Sequence, residues 1–248
     1  MDAQPTDLLL RKLSSLGPLT QQDRQLLQAV PFHIRDVGPD IDLVREGDRP
    51  GNCLILQEGF CCRYKSLADG RRQILSFAVP GDFLDLPSLV LDRIDHNIST
   101  LTSSKLAAVP RAALADLLDS PSLARLLWRD TLIDASVYRE WVLNIGRRNA
   151  YQRVAHVLCE LTTRLSQVGL AHNGVCELPL TQGELADATG LSTVHVNRVI
   201  QELRRDGLIA MKGRYFSALH WDRLQQAAGF EPGYLYLPPN PEPVAANR

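Results

Sequence analysis

The stretch LTQGELADATGLSTVHVNRVIQELRRDGLI, from Leu180 to Ile209, decides how this chain is read. Thr181 followed three residues later by Glu184 is a capping box, and it opens a short helix that turns Leu185 and Ala186 inward. Gly190 ends that helix where the chain must bend sharply, because glycine enters the left-handed region without a Cβ penalty. Ser192 caps a second helix, whose Val196, Val199, Ile200 and Leu203 fall at i, i+3, i+4 and i+7 and so share one buried face. The opposite face carries Thr193, Val194, Asn197, Arg198, Gln201, Arg204 and Arg205. Small Ala186 lets the two helices approach, and Val196 packs between them. This is the spacing of a helix-turn-helix that lays its second helix in the major groove of double-stranded DNA.

Local charge agrees with that reading. The whole chain of 248 residues has a net charge of -1, unfavourable for a polyanion partner. Between Ser192 and Arg214, however, Arg198, Arg204, Arg205, Lys212 and Arg214 outweigh Glu202 and Asp206. The following LIAMKGRYFSAL reads as two short strands around Lys212 and Gly213, the wing of a winged helix.

Upstream, Ile34 to Pro110 is a series of short apolar segments broken near Gly47, Gly59, Asp69-Gly70 and Gly81-Asp82, the pattern of an all-β sandwich or barrel. Asp69-Gly70 marks a hairpin between RYKSL and RQILSF. From Leu114 to Arg148 the pattern turns helical: Ile133, Val137, Trp141 and Ile145 recur every four residues on one face. Either a second subunit or the barrel of the same subunit would cover that stripe. Asn149 caps a further helix from Ala150 to about Val168, which makes it a hinge. After Phe230 the proline-rich end, with Pro232, Pro238, Pro239, Pro241 and Pro243, predicts a frayed tail.

Taken in order, REGD at Arg45 to Asp48, the strand pair around ADG, PGDF at Pro80 to Phe83, the long helix ending at Asn149 and TQGELADATGLSTVHVNRVIQEL make the chain resemble the Crp/Fnr transcription regulators from about Leu19 to Leu224. The resemblance implies an α+β protein: an N-terminal double-stranded β-helix (jelly roll) like that of cyclic-nucleotide-binding domains over residues 1–118, and a dimerisation helix and hinge over 119–149. A winged helix-turn-helix over 150–225 and a tail over 226–248 would follow. It also implies a homodimer joined along the long helices through Ile133, Val137, Trp141 and Ile145, with half-sites one helical turn, roughly 34 Å, apart. RNA polymerase would be a further partner if the protein activates.

Carried over by resemblance, Arg198 matches the arginine with which family members read guanine, and arginine to guanine O6 and N7 is also the commonest specific contact. Thr193 and Val194 depart from the catabolite activator at matching positions, so the preferred half-site should differ, with Val194 set against a thymine methyl. His195 and Asn197 are further base-reading candidates. Thr181, Gln182, Ser192, Arg204, Arg205, Lys212 and Arg214 are candidates for phosphate.

The family's cyclic-nucleotide pocket uses a glutamate for the ribose and an Arg-Ser pair for the phosphate. Counting ungapped from Gly81-Asp82-Phe83, those positions fall on Leu86, beside Asp85, and on His96-Asn97. Leucine cannot hold sugar hydroxyls, and a largely neutral histidine is a poor substitute for a permanent guanidinium, so cyclic AMP dependence is not expected. A slipped register would restore Asp85 to the sugar.

The five cysteines, Cys53, Cys61, Cys62, Cys159 and Cys176, form no C-x-x-C pair, so neither a zinc site nor an N-terminal iron–sulfur set is indicated. Cys61 shares a strand face with Arg63 and Lys65, whose charge would lower its pKa and favour redox sensing; the blander reading is two small strand residues. His33, His156, His172 and His220 are scattered at unrelated spacings. No metal, no cofactor and no catalytic fingerprint is read from the residues, and the effector is unassigned. Hydrophobic residues at 45% without a signal peptide or membrane span predict a globular cytoplasmic protein. The competing class is a cyclic-nucleotide-binding module acting on a protein partner, against which the basic helix-turn-helix argues.

Overall fold

Glycine at the ends of short apolar strands sets the path of the N-terminal half. The computed structural model describes residues 5–237. Two helices, α1 (Pro5–Leu16) and α2 (Gln21–Ala29), precede seven strands: β1 (His33–Val37), β2 (Asp42–Val44), β3 (Asn52–Glu58), β4 (Cys61–Ser66), β5 (Arg72–Ala78), β6 (Asn97–Thr100) and β7 (Ser104–Pro110). They form two antiparallel sheets, ordered β1-β7-β3 and β2-β6-β4-β5, the jelly-roll layering expected. Gly59 shows why glycine punctuates it: its φ is +91°, and a Cβ there would lie 2.5 Å from Ser104 Oγ. The β4–β5 hairpin pairs across Asp69-Gly70, with Ser66 opposite Arg72 and Cys62 opposite Phe77.

After α3 (Arg111–Ala115), α4 (Pro121–Arg147) runs for 27 residues. It gives way at Asn149 to α5 (Ala150–Gln167). Asn149 is extended, and its side chain accepts from Gln152 N while Gln152 returns a bond to the Asn149 amide, so the break between the helices is a reciprocal cap. The remainder comprises β8 (Ala171–His172), β9 (Val175–Glu177), α6 (Gln182–Thr189), α7 (Thr193–Arg205), β10 (Ile209–Lys212), β11 (Tyr215–Ala218) and α8 (Trp221–Ala228), with the sheet ordered β10-β11-β9-β8.

One hydrophobic cluster joins the two halves. Phe60, Cys62, Phe77 and Val79 of the barrel, Val137 and Trp141 of α4, and Val154, Leu158, Leu185 and Val199 of the C-terminal half belong to the same packed group. Trp141 meets Phe77 edge to face and donates its indole N–H to buried Glu160 on α5. Polar bonds seal the junction. Arg72 of β5 pairs with Asp187 of α6 at 2.9 Å, and Asp82, in the turn after β5, accepts from Lys12 at 2.8 Å and from Arg164 at 2.5 Å.

These contacts revise the dimer stripe. Val137 and Trp141 are buried within their own subunit, Ile133 packs against the cluster shared by the barrel and α1, and Ile145 lies beside Gly190. The alternating row therefore covers barrel and DNA-binding half, because α4 is sandwiched between them. A different face of α4 is exposed, with Trp128, Leu132, Val142 and Leu143 the large apolar residues on it.

The tail is revised too. α8 runs across the boundary placed at residue 225, and Phe230 and Leu235 are buried. Tyr234 stacks on His156 and donates its hydroxyl hydrogen to Glu160 at 2.7 Å. Aromatic burial thus outweighs the nearby prolines; Pro238, Pro239, Pro241 and Pro243 lie outside the described residues. His156 itself is fully buried, and desolvation with the nearby Arg148 pushes its pKa down to about 3, so it is a neutral packing residue.

Replacing Asp82 by asparagine leaves Lys12 and Arg164 facing each other with little solvent. The expected cost is about 3–5 kcal/mol, read from the urea midpoint of the purified protein.

Candidate nucleic-acid interface

Each helix of the pair starts on a side-chain cap. Thr181 Oγ1 accepts from Glu184 N at 3.1 Å while Glu184 accepts from Thr181 N, and Ser192 Oγ accepts from His195 N at 3.2 Å. Between them Gly190 sits at φ +66°. Val196, Val199, Ile200 and Leu203 are buried as the spacing predicts, and α7 turns its other face to solvent.

On that outer face Val194 is 81% exposed, extreme for an aliphatic side chain in a folded chain. Thr193, Asn197 and Arg198 are also exposed and His195 is half-buried. Asn197 donates to Gln182 Oε1 at 2.9 Å, which ties the outer faces of α6 and α7 together. Among the described residues no acceptor holds Arg198. Its guanidinium is free to find one outside the protein.

The phosphate candidates divide. Arg204 reaches the Met211 carbonyl at 3.4 Å, Arg205 lies 3.9 Å from Glu202, and Lys212 is exposed at the end of β10, all on or beside the α7 outer face. Arg214 behaves differently: it pairs with Glu177 at 2.7 Å and lines a cleft of about 450 Å³ with Thr102 and Ser103 of the barrel. The wing turn at Gly213, where φ is +59°, sends Lys212 and Arg214 to different neighbours.

The four residues read as an effector pocket do not converge. Asp85 is fully buried and accepts from Leu54 N at 2.7 Å; Leu86 is in the core shared with α4; His96 pairs with Asp95; Asn97 accepts from Glu46 N. Desolvation, partly offset by Asp95, lowers the His96 pKa, so the imidazole is neutral where a cyclic phosphate would need a cation.

The redox reading of Cys61 is also corrected. Its strand does alternate, Cys61 facing one core cluster and Cys62 the other. Both thiols are buried, and desolvation pushes each up to about 12 despite nearby guanidinium groups, so neither is a reactive thiolate. Position on a face with basic residues could not reveal this, because the decisive factor is water exclusion by the opposite sheet.

Lys12, Arg164 and Glu160 carry no motif in the sequence, and Asp82 reads there only as a turn residue. Asp82 and Arg164 are ordinary charges in the sequence, and only their meeting at 2.5 Å marks them.

Comparison with known proteins agrees with this architecture. The family model described as a Crp-like helix-turn-helix domain matches residues 152–227, and that of a cyclic nucleotide-binding domain matches 35–120. The chain is 30% identical over 207 residues to the transcriptional activatory protein AadR of Rhodopseudomonas palustris, covering 83% of this chain and 85% of that protein. It is 28% identical over 192 residues to the transcriptional activator protein FnrL of Cereibacter sphaeroides, covering 75% and 77%. The solved structure of FixK2 from Bradyrhizobium japonicum superposes with a TM-score of 0.72 at 25% identity, over 80% of this chain and 98% of that one. A jelly roll, a long helix and a capped helix-turn-helix with an outward basic face define a DNA-binding transcription regulator. The chain belongs to the Crp/Fnr family of such regulators.

Gly190→Ala places a Cβ on a left-handed residue without clashing, its nearest neighbour being Ile145 at 3.8 Å. Backbone strain alone should cost about 1–2 kcal/mol, seen as a lower thermal midpoint with the fold retained.

Proposed function

We propose that this regulator binds a two-fold symmetric site on double-stranded DNA as a homodimer, each α7 entering the major groove, with half-sites roughly 34 Å apart. One observation carries the reading. The buried face of α7 is wholly aliphatic, while Val194, Asn197 and Arg198, the last unpaired among the described residues, stand outward on a helix capped at its start by Ser192.

Arg198 reads guanine by two parallel hydrogen bonds, Val194 meets a thymine methyl, and Thr193, His195 and Asn197 complete the base-facing row. Thr181, Gln182, Ser192, Arg204, Arg205 and Lys212 lie against phosphates and set the register. Arg214, engaged with Glu177, serves the wing and contacts phosphate only if that exposed pair opens.

The second subunit docks on the exposed side of α4. Trp128, Leu132, Ala135, Arg139, Val142 and Gly146 alternate at spacings of four and three, a coiled-coil seam, and the large apolar members of that row are uncovered. Exposed Val90 and Leu91 flank Trp128 in the same apolar groove and widen the surface. Among the described residues no helix is long and apolar enough to cross a membrane. In this reading the protein acts on DNA in the cytoplasm, without chemistry of its own. Cyclic AMP is not its effector, given Leu86 and neutral His96. Its relatives' names support activation, which requires RNA polymerase as a partner.

Two measurements test this. With a site selected from random DNA, Arg198→Ala should cost about 1–3 kcal/mol and relax base preference at one position per half-site; equal loss on random DNA would refute base reading. Leu132→Glu should leave the fold intact and shift the chain toward monomer in sedimentation, with DNA affinity falling in parallel.

A further inference from the structure

Arg63 projects into the interior of the β domain and is 3% exposed. Nothing in the DNA-binding reading uses it. Burying a guanidinium is costly unless its donors are met, and here they are met from three directions. Nε donates to the Leu84 carbonyl at 2.9 Å, Nη2 to the Phe83 carbonyl at 2.6 Å, and Nη1 to Ser76 Oγ at 3.3 Å. The same Nη2 lies 3.2 Å from a carboxylate oxygen of Asp134 on α4. The carbonyls belong to the Phe83-Leu84 segment, directly before Asp85 and Leu86.

We propose that Arg63 is an internal ligand: it stands where a small-molecule effector would bridge barrel and long helix, and so holds α4 in its DNA-competent setting with no effector added. Three features converge on this role. The guanidinium itself joins two elements, bonded to the Phe83 and Leu84 carbonyls of the barrel on one side and 3.2 Å from Asp134 of α4 on the other. The residues that would bind a nucleotide are turned to other partners, with Leu86 in the core and Asn97 on Glu46. Asp134 occupies the same helix as Trp141, whose indole is bonded to Glu160 of the DNA-binding half, and the same helix as the exposed seam. One ion pair thereby connects barrel interior, subunit seam and helix-turn-helix. Its opposite end is half-open, Asp134 keeping 35% of its side chain exposed, so the latch can be opened without emptying the core.

The proposal rests on the regulator reading only for its DNA measurement. Hydrogen exchange of the full-length protein is followed along α4, together with affinity for the selected DNA site, for wild type, Asp134→Asn, Arg63→Ala and Arg63→Ala with ethylguanidinium. Wild type purified free of small molecules should bind the site and gain nothing from added cyclic AMP or cyclic GMP. Asp134→Asn, a partly exposed position that spares the core, should raise exchange at the centre of α4 at least tenfold and weaken DNA binding about tenfold. Arg63→Ala should do the same or more, and ethylguanidinium should restore protection by refilling the space. Unchanged α4 exchange in Asp134→Asn, or a wild type that binds DNA only when a cyclic nucleotide is supplied, would overturn the latch. Should wild type select no DNA at all, the regulator reading falls, while the exchange result still decides the latch.

Discussion

The charged junction that couples one half of this molecule to the other is centred on the carboxylate of Asp82. It lies in the turn closing β5, accepts from Val79 N in its own loop, and is flanked by Lys12 from α1 and Arg164 from α5. Burial disfavours its charge, but the two adjacent cations prevail and hold the carboxyl well below the usual carboxylate range. Arg164 also reaches Glu160, and Glu160 collects Trp141 and Tyr234. A chain of charge-assisted bonds thus runs from the N-terminal helix through the barrel to the C-terminal aromatics. Such a chain is costly to assemble and specific once assembled, since any member displaced leaves its neighbours charged and dry.

That junction gives the helix-turn-helix a fixed platform. α6 is held from the barrel by Arg72 on Asp187 and by Gln73 on the Ala188 carbonyl, and from the hinge side by Arg153 on the Thr189 carbonyl. The recognition helix is therefore positioned through its partner helix, and among the described residues its own outer face has no intramolecular ties except the Asn197 to Gln182 bond and the weak contacts of Arg204 and Arg205. A base-reading surface needs that freedom, because each side chain spent on the protein is lost to DNA. The same platform explains why α4 has two apolar faces. One packs between barrel and DNA-binding half, and the other, running past Trp128 and Val142, is exposed.

Much of this was legible beforehand where the signal is local. Caps at Thr181, Ser192 and Asn149, the left-handed turn at Gly190, the hairpin at Asp69-Gly70 and the aliphatic stripe of α7 depend on residues within a few positions of one another, so spacing alone reports them. Three points could not be decided from spacing, for a shared reason. The stripe from Ile133 to Ile145 was apolar, but periodicity does not say which neighbour covers it. Cys61 stood beside basic residues, yet its pKa follows the water removed by a sheet distant in sequence. The segment from Phe230 to Leu235 looked like a tail because its prolines are visible in the sequence and its aromatic partners, His156 above all, are not.

By itself the amino-acid sequence determined the elements, their order and the sign and shape of the DNA-facing helix, since these follow from hydrogen bonds and periodicities that close within a turn or two. Tertiary structure alone decided which charges pair, which thiols are buried, which side of α4 stays exposed, and that Arg63 points inward to Asp134. Those outcomes depend on desolvation and on contacts between residues as far apart as Lys12 and Asp130, and no local pattern encodes how much water a distant strand will exclude.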